Sequence, residues 1–165
     1  MLSKSELRLL SNIGEKTDHN PTIGEIAQTL ERSSSHISRV VSDLEKKGFV
    51  QTRQAEGRKH VSLTDAQPVE QLTALATEYE HVNFPDLIAG TALTVLYYLD
   101  QSRTATELTE LSDVSRATVY RRLDTLQNVG IVRKDHSQYR LTPAFSSLSQ
   151  VARSIAHHEH RHEAA

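Results

Sequence analysis

The chain of 165 residues contains no cysteine. That absence removes disulfide frameworks, thiolate metal sites and cysteine nucleophiles together, and it fits a reducing compartment. No leader is expected either, since residues 1–10, MLSKSELRLL, hold no long apolar core followed by a cleavage site. Long hydrophobic runs are absent too. The longest nearly apolar stretch is residues 92–99, far short of the roughly 20 residues that span a bilayer. These absences predict a soluble, cytoplasmic protein with no membrane partner. No glycine-rich phosphate loop, nucleophile elbow or metalloprotease motif occurs, and the Ser35-His36 pair has no evident orienting acid. The sequence therefore predicts neither an enzyme nor a cofactor.

An overall excess of positive charge is lacking as well. The formal net charge is −2, whereas dedicated DNA-binding domains are often strongly basic. The average conceals a segregation. Residues 32–59 hold seven Lys/Arg against three Asp/Glu, residues 116–140 hold six against two, and the remainder holds six against sixteen. Local potential, rather than net charge, decides what binds locally. The bland alternative is that lysines such as Lys46 and Lys47 simply suit the C-terminal end of a helix.

What is present is organised around residues 115–132, SRATVYRRLDTLQNVGIV. Ser115 suits a helix N-cap, and Val119, Leu123 and Leu126 recur at i, i+4 and i+7 on one face, which must be buried. Arg116, Thr118, Arg121 and Arg122 occupy the other side, a surface matched to phosphates and base edges. Gly130 supplies the left-handed residue that stops the helix, and an extended segment begins at Ile131.

The stretch occurs twice. Residues 22–51 align without a gap on residues 104–133 at an offset of 82, with identities at Thr22/Thr104, Glu25/Glu107, Ser33/Ser115, Arg39/Arg121, Leu44/Leu126, Gly48/Gly130 and Val50/Val132. Ile37, Val41 and Leu44 repeat the buried triad. Two such matches in register predict two small domains rather than one.

In chain order, Ser3 with Glu6, Thr22 with Glu25 and Thr104 with Glu107 form capping boxes at three predicted helix starts. The first recognition helix covers residues 33–47. Strands at 49–53 and 59–64 flank a tip at 54–58. Residues 65–82 form a connecting or dimerisation helix with Val69, Leu72, Ala76, Tyr79 and Val82 near helical spacing. Residues 86–100 read as one helix. The turn at 112–114 places Asp113 where glycine usually takes the left-handed position, and Glu31 tolerates that geometry less well, so distortion of the first turn is expected. The second wing runs over 131–134 and 138–142 around a tip at 135–137. After Pro143 a final helix carries Phe145, Leu148, Val151 or Ala152, and Ile155. It ends in His157, His158, His160 and His162, read as a frayed polar end rather than a metal site despite the i, i+4 pair of His158 and His162.

Residues 35–50, SHISRVVSDLEKKGFV, and then GRKHVSLTD at 57–65 resemble the MarR family of transcriptional regulators. The resemblance implies a wing arginine that enters the minor groove, and Arg58 is the matching residue. TVYRRLDTLQNVGIV with YRLTP resembles the DNA-binding domains of IclR and TrmB type regulators. Together they imply an archaeal sequence-specific regulator of transcription that binds double-stranded DNA. They also leave room for a small-molecule effector that no residue identifies.

The predicted fold is mainly α with small β-wings: winged helix-turn-helix domains at 1–64 and 83–142, a connecting helix at 65–82 and a C-terminal helix at 143–165. Candidate DNA-contacting residues are Ser34, Ser35, His36, Ser38 and Arg39 on the first recognition helix, and Arg53, Arg58 and Lys59 in its wing. The second module offers Arg116, Thr118, Tyr120, Arg121 and Arg122 on its helix, and Arg133 and Lys134 in its wing. A homodimer built from helices around Leu72, Tyr79, Leu148 and Ile155 is expected, since twofold symmetry doubles the contacts on a palindromic site. The competing reading is a tandem winged-helix adaptor that binds protein within a chromosome-segregation or transcription complex.

Overall fold

Helix α1 (Lys4–Glu15) begins where the sequence supplies its cap: Glu6 N donates to Ser3 Oγ at 3.2 Å and Ser3 N donates to the Glu6 carboxylate at 2.9 Å. Helix α2 (Ile23–Leu30) is capped by Thr22, and α3 (Ser34–Lys46) by Ser33. A hairpin of β1 (Val50–Ala55) and β2 (Arg58–Leu63) follows, then α4 (Gln67–Glu78). The second half repeats this order. Helices α5 (Phe84–Ile88) and α6 (Thr91–Tyr97) take the place of α1, and a short strand β3 (Arg103–Thr104) precedes α7 (Ala105–Ser112) and α8 (Arg116–Asn128). Strands β4 (Val132–Asp135) and β5 (Gln138–Leu141), a 3-10 turn at Pro143–Phe145 and α9 (Leu148–Glu163) complete it. The structure is a computed structural model that describes residues 2–15, 19–65, 67–79 and 83–163; the side chains of 67–69 and 160–163, and all of Val82, lie outside the described residues.

The two halves share local bonds as well as order. After each wing a threonine hydroxyl donates back to the glycine carbonyl that ends the recognition helix, Thr64 to Gly48 at 2.5 Å and Thr142 to Gly130 at 2.8 Å. Buried residues recur after the wings, as Leu72 and Leu75 in α4 and as Leu148 and Val151 in α9. A single hydrophobic cluster runs through both halves, from Leu2 and Leu7 to Val151 and Ile155. Two folded halves of this size each bury little alone, and α4 packs against α9 while α1 packs against α5. Among the described residues no helix is long and apolar enough to cross a membrane.

Several expectations are corrected. The helix expected over residues 86–100 is broken, because Gly90 takes φ 63° and ψ −129° and turns its N–H to the Leu2 carbonyl at 2.8 Å. The first helix-turn-helix is not distorted: Glu31 adopts φ 55° and ψ 47°, and Asp113 φ 57° and ψ 25°. The left-handed cost at Glu31 is offset by its N–H reaching the Gln28 carbonyl and that of Arg32 reaching Ala27. Both wing tips are two-residue turns, Glu56-Gly57 and His136-Ser137, all at positive φ, which match the twist of the flanking strands. The side chains expected to join two chains are instead internal. Leu72, Leu148 and Ile155 are fully buried, and Tyr79 lies 4.9 Å from the Phe145 ring and 6.1 Å from Phe84. His158 is not part of a frayed end, since it is buried, with Nε2 donating to the Gly48 carbonyl at 2.6 Å and its ring 4.5 Å from Phe49.

Candidate nucleic-acid interface

Helix α3 starts at Ser33, whose Oγ accepts from His36 N at 3.1 Å. This cap fixes the helical phase. Ile37, Val40, Val41 and Leu44 turn inward, while Ser34, Ser35, Ser38 and Arg39 are exposed and His36 is half-buried. Lys47, one of the bases counted with this helix, pairs with the buried Glu6 carboxylate at 2.8 Å. That cation holds α3 to α1 and adds nothing to the outer surface.

Helix α8 has the same phase from Ser115, which accepts from Thr118 N at 3.3 Å and donates to Thr118 Oγ1 at 2.9 Å. The Thr118 hydroxyl thus belongs to the cap and is half-buried. Val119, Leu123 and Leu126 are buried, and Arg116, Tyr120 and Arg121 are exposed. The Arg116 guanidinium lies 5.8 Å from the Tyr120 ring centroid, a cation–π contact that orders both side chains. Arg122 differs from its neighbours: it is half-buried, and its Nε donates to Thr91 Oγ1 at 2.8 Å. It ties α8 to α6.

The wings follow from the pairing register. Arg53 sits opposite His60, Lys59 opposite Gln54 and Arg58 opposite Ala55. Strand alternation puts Arg53 and Arg58 on one face and Lys59 on the other. All three are exposed. Arg58 and Lys59 also line a groove with Thr22, Gly24 and Glu25 at the start of α2. The base of this wing is anchored by Val61 N donating to the Pro21 carbonyl at 2.9 Å and by His60 Nδ1 donating to the Asn20 carbonyl at 3.2 Å. In the second wing Arg133 faces Arg140 and Lys134 faces Tyr139, with the Lys134 ammonium 5.7 Å from that ring. Asp135 lies 3.7 Å from Arg140 and offsets part of the charge.

Every candidate therefore lies on a recognition helix or a wing, but they are not equally available. Arg122 and Thr118 are committed to internal bonds. A second groove, between the first wing and the segment before α2, is lined by His19, Asn20, Arg53 and His60. Periodicity gave no sign of it, because it joins segments some forty residues apart. Among the described residues no cluster of histidines and carboxylates is able to hold a metal ion.

Residues 2–59 match the model of the MarR family. Residues 2–59 are thus MarR-like, and that likeness supports a role in regulating transcription. Residues 90–159 match the model described as HVO_A0261 N-terminal domain, and the resemblance of this half to IclR and TrmB type domains is not what that match reports. No curated protein matches the chain.

Proposed function

We propose that the chain regulates transcription by binding duplex DNA, with α3 and α8 in major grooves and the two wings on the backbone or minor groove. One observation carries the reading. Arg39 and Arg121 occupy equivalent places on the two recognition helices, and both are exposed on a face otherwise free of buried bonds. Arginine is the side chain best matched to guanine edges and to phosphate. On α3 the hydroxyls of Ser34, Ser35 and Ser38 and the His36 ring contact phosphates or bases. On α8 Arg116, Tyr120 and Arg121 do so. Arg53, Arg58, Lys59, Arg133 and Lys134 contact phosphates from the wings, with Arg58 reaching the minor groove.

The test is the salt dependence of binding to duplex DNA. About six phosphate contacts give a log–log slope of roughly −5. Arg121→Ala costs about 1–3 kcal/mol and relaxes base preference, while Arg58→Ala lowers affinity evenly across sequences. A flat salt dependence with the fold intact overturns the reading in favour of a protein-binding adaptor.

A further inference from the structure

We infer that one chain carries a built-in pseudo-dimer and reads two unequal half-sites as a monomer, an inference that rests on the DNA-binding reading above. Its foundation is the way the halves meet. Helices α4 and α9, which follow the two wings and so occupy equivalent positions, pack against each other. The α1 contact is also reciprocal. The Leu2 carbonyl accepts from Gly90 N at 2.8 Å, and the Arg8 guanidinium forms a two-point ion pair with Asp86, Nε to Oδ1 at 2.7 Å. At the offset of 82, Gly90 corresponds to Arg8 and Asp86 to Lys4. Position 2 of the first half thus meets position 8 of the second, while position 8 of the first meets position 4 of the second. Contacts that run from i to j and from j back to near i are the signature of a twofold, isologous interface. Head-to-tail stacking would join unlike elements.

This internal interface uses the surfaces that a homodimer was expected to use. Leu72, Leu148 and Ile155 are buried within the chain. The outer faces of α3 and α8 lie outside that interface and stay exposed. An interface of this kind would set α3 and α8 as the recognition helices of a symmetric dimer are set.

The two faces are nevertheless different. Ser34 stands where α8 has Arg116, Ser35 where it has Ala117, and Ser38 where it has Tyr120, while Arg39 and Arg121 agree. Serine hydroxyls bond to several bases, arginine selects guanine, and an alanine or aromatic surface favours the thymine methyl group. The site bound by one chain therefore has two halves that share a guanine at twofold-related positions and differ around it. Only the half under α8 carries strong preferences at the neighbouring positions.

The experiment selects duplexes from a random library with the full chain. Sedimentation then measures the number of chains per selected duplex, and the selection is repeated with Arg39→Ala and Arg121→Ala. Both arginines are exposed, so neither change disturbs the core. Expected are one chain per duplex, two unlike halves, and loss of the guanine from one half in Arg39→Ala and from the other in Arg121→Ala, each with about tenfold weaker binding. Two chains per duplex, or a substitution that relaxes both halves equally, overturns the inference while leaving DNA binding standing. Absence of any selected sequence together with absence of affinity for duplex DNA overturns both.

Discussion

Arg122 shows how one residue is withdrawn from a surface to which its neighbours belong. Its position corresponds to Val40 and that of its partner Thr91 to Leu9, both of which are buried apolar residues in the first half. The second half thus fills an α6–α8 contact with a hydrogen bond where the first half has aliphatic side chains. Replacing one partner leaves the other unsatisfied, whereas replacing both with apolar groups is close to neutral. Arg122→Ala is expected to lower stability by about 1 kcal/mol, and Thr91→Leu with Arg122→Val to restore it, as read by thermal unfolding. DNA affinity should stay within twofold of wild type in both, in contrast to Arg121→Ala; a loss as large as that of Arg121→Ala would return Arg122 to the interface. A second residue-scale consequence concerns pH. The hydrogen bond from His19 at 3.0 Å holds the Glu25 carboxyl below the usual carboxylate range, with help from Thr22. A carboxyl whose folded pKa is depressed adds its full share of stability above the unfolded value of about 4.3 and loses it as pH falls through the lower folded value. The carboxyl carbon of Glu25 should titrate with a midpoint below that value, and His19→Ala should move it upward. A midpoint unchanged by His19→Ala would show that His19 is not the cause.

At the scale of elements, features set by short fixed spacings were legible in the sequence. The capping residues Ser3, Ser33, Thr104 and Ser115 each fix a helix start through a bond to a residue three positions on, and the buried stripes of α3 and α8 followed from their helical period. Features made by distant partners were not legible. Strand β3 exists only because Arg103 and Thr104 pair with Tyr139 and Gln138. The break between α5 and α6 depends on Gly90 bonding to Leu2 from another helix. Wing length was misjudged for a related reason. Glu56 and His136 take positive φ without being glycine, so the turns are shorter than their composition suggested, and Arg58 sits on a strand beside the turn rather than at its tip. Of the candidate site, the exposed positions could be read from periodicity. The commitment of Arg122 to Thr91, 31 residues away, could not.

At the scale of the whole molecule, one hydrophobic cluster through both halves means that neither half unfolds without uncovering the other. Calorimetry should show one transition whose calorimetric and van't Hoff enthalpies agree. Asp86→Ala, which removes the partner of Arg8, should lower its midpoint by about 2–4 °C for each kcal/mol lost without splitting it. Two resolved transitions would contradict the shared core. The bond from His158 to Gly48 spans 110 residues, and its consequence lies in the order of synthesis. On the ribosome α3 and its wing are complete long before α9 exists, and the Phe49 ring, 2% exposed in the finished fold, lacks the imidazole that covers it. The half made first is thus finished by a side chain made more than a hundred residues later. A nascent chain halted before α9 presents that aromatic surface to chaperones and proteases.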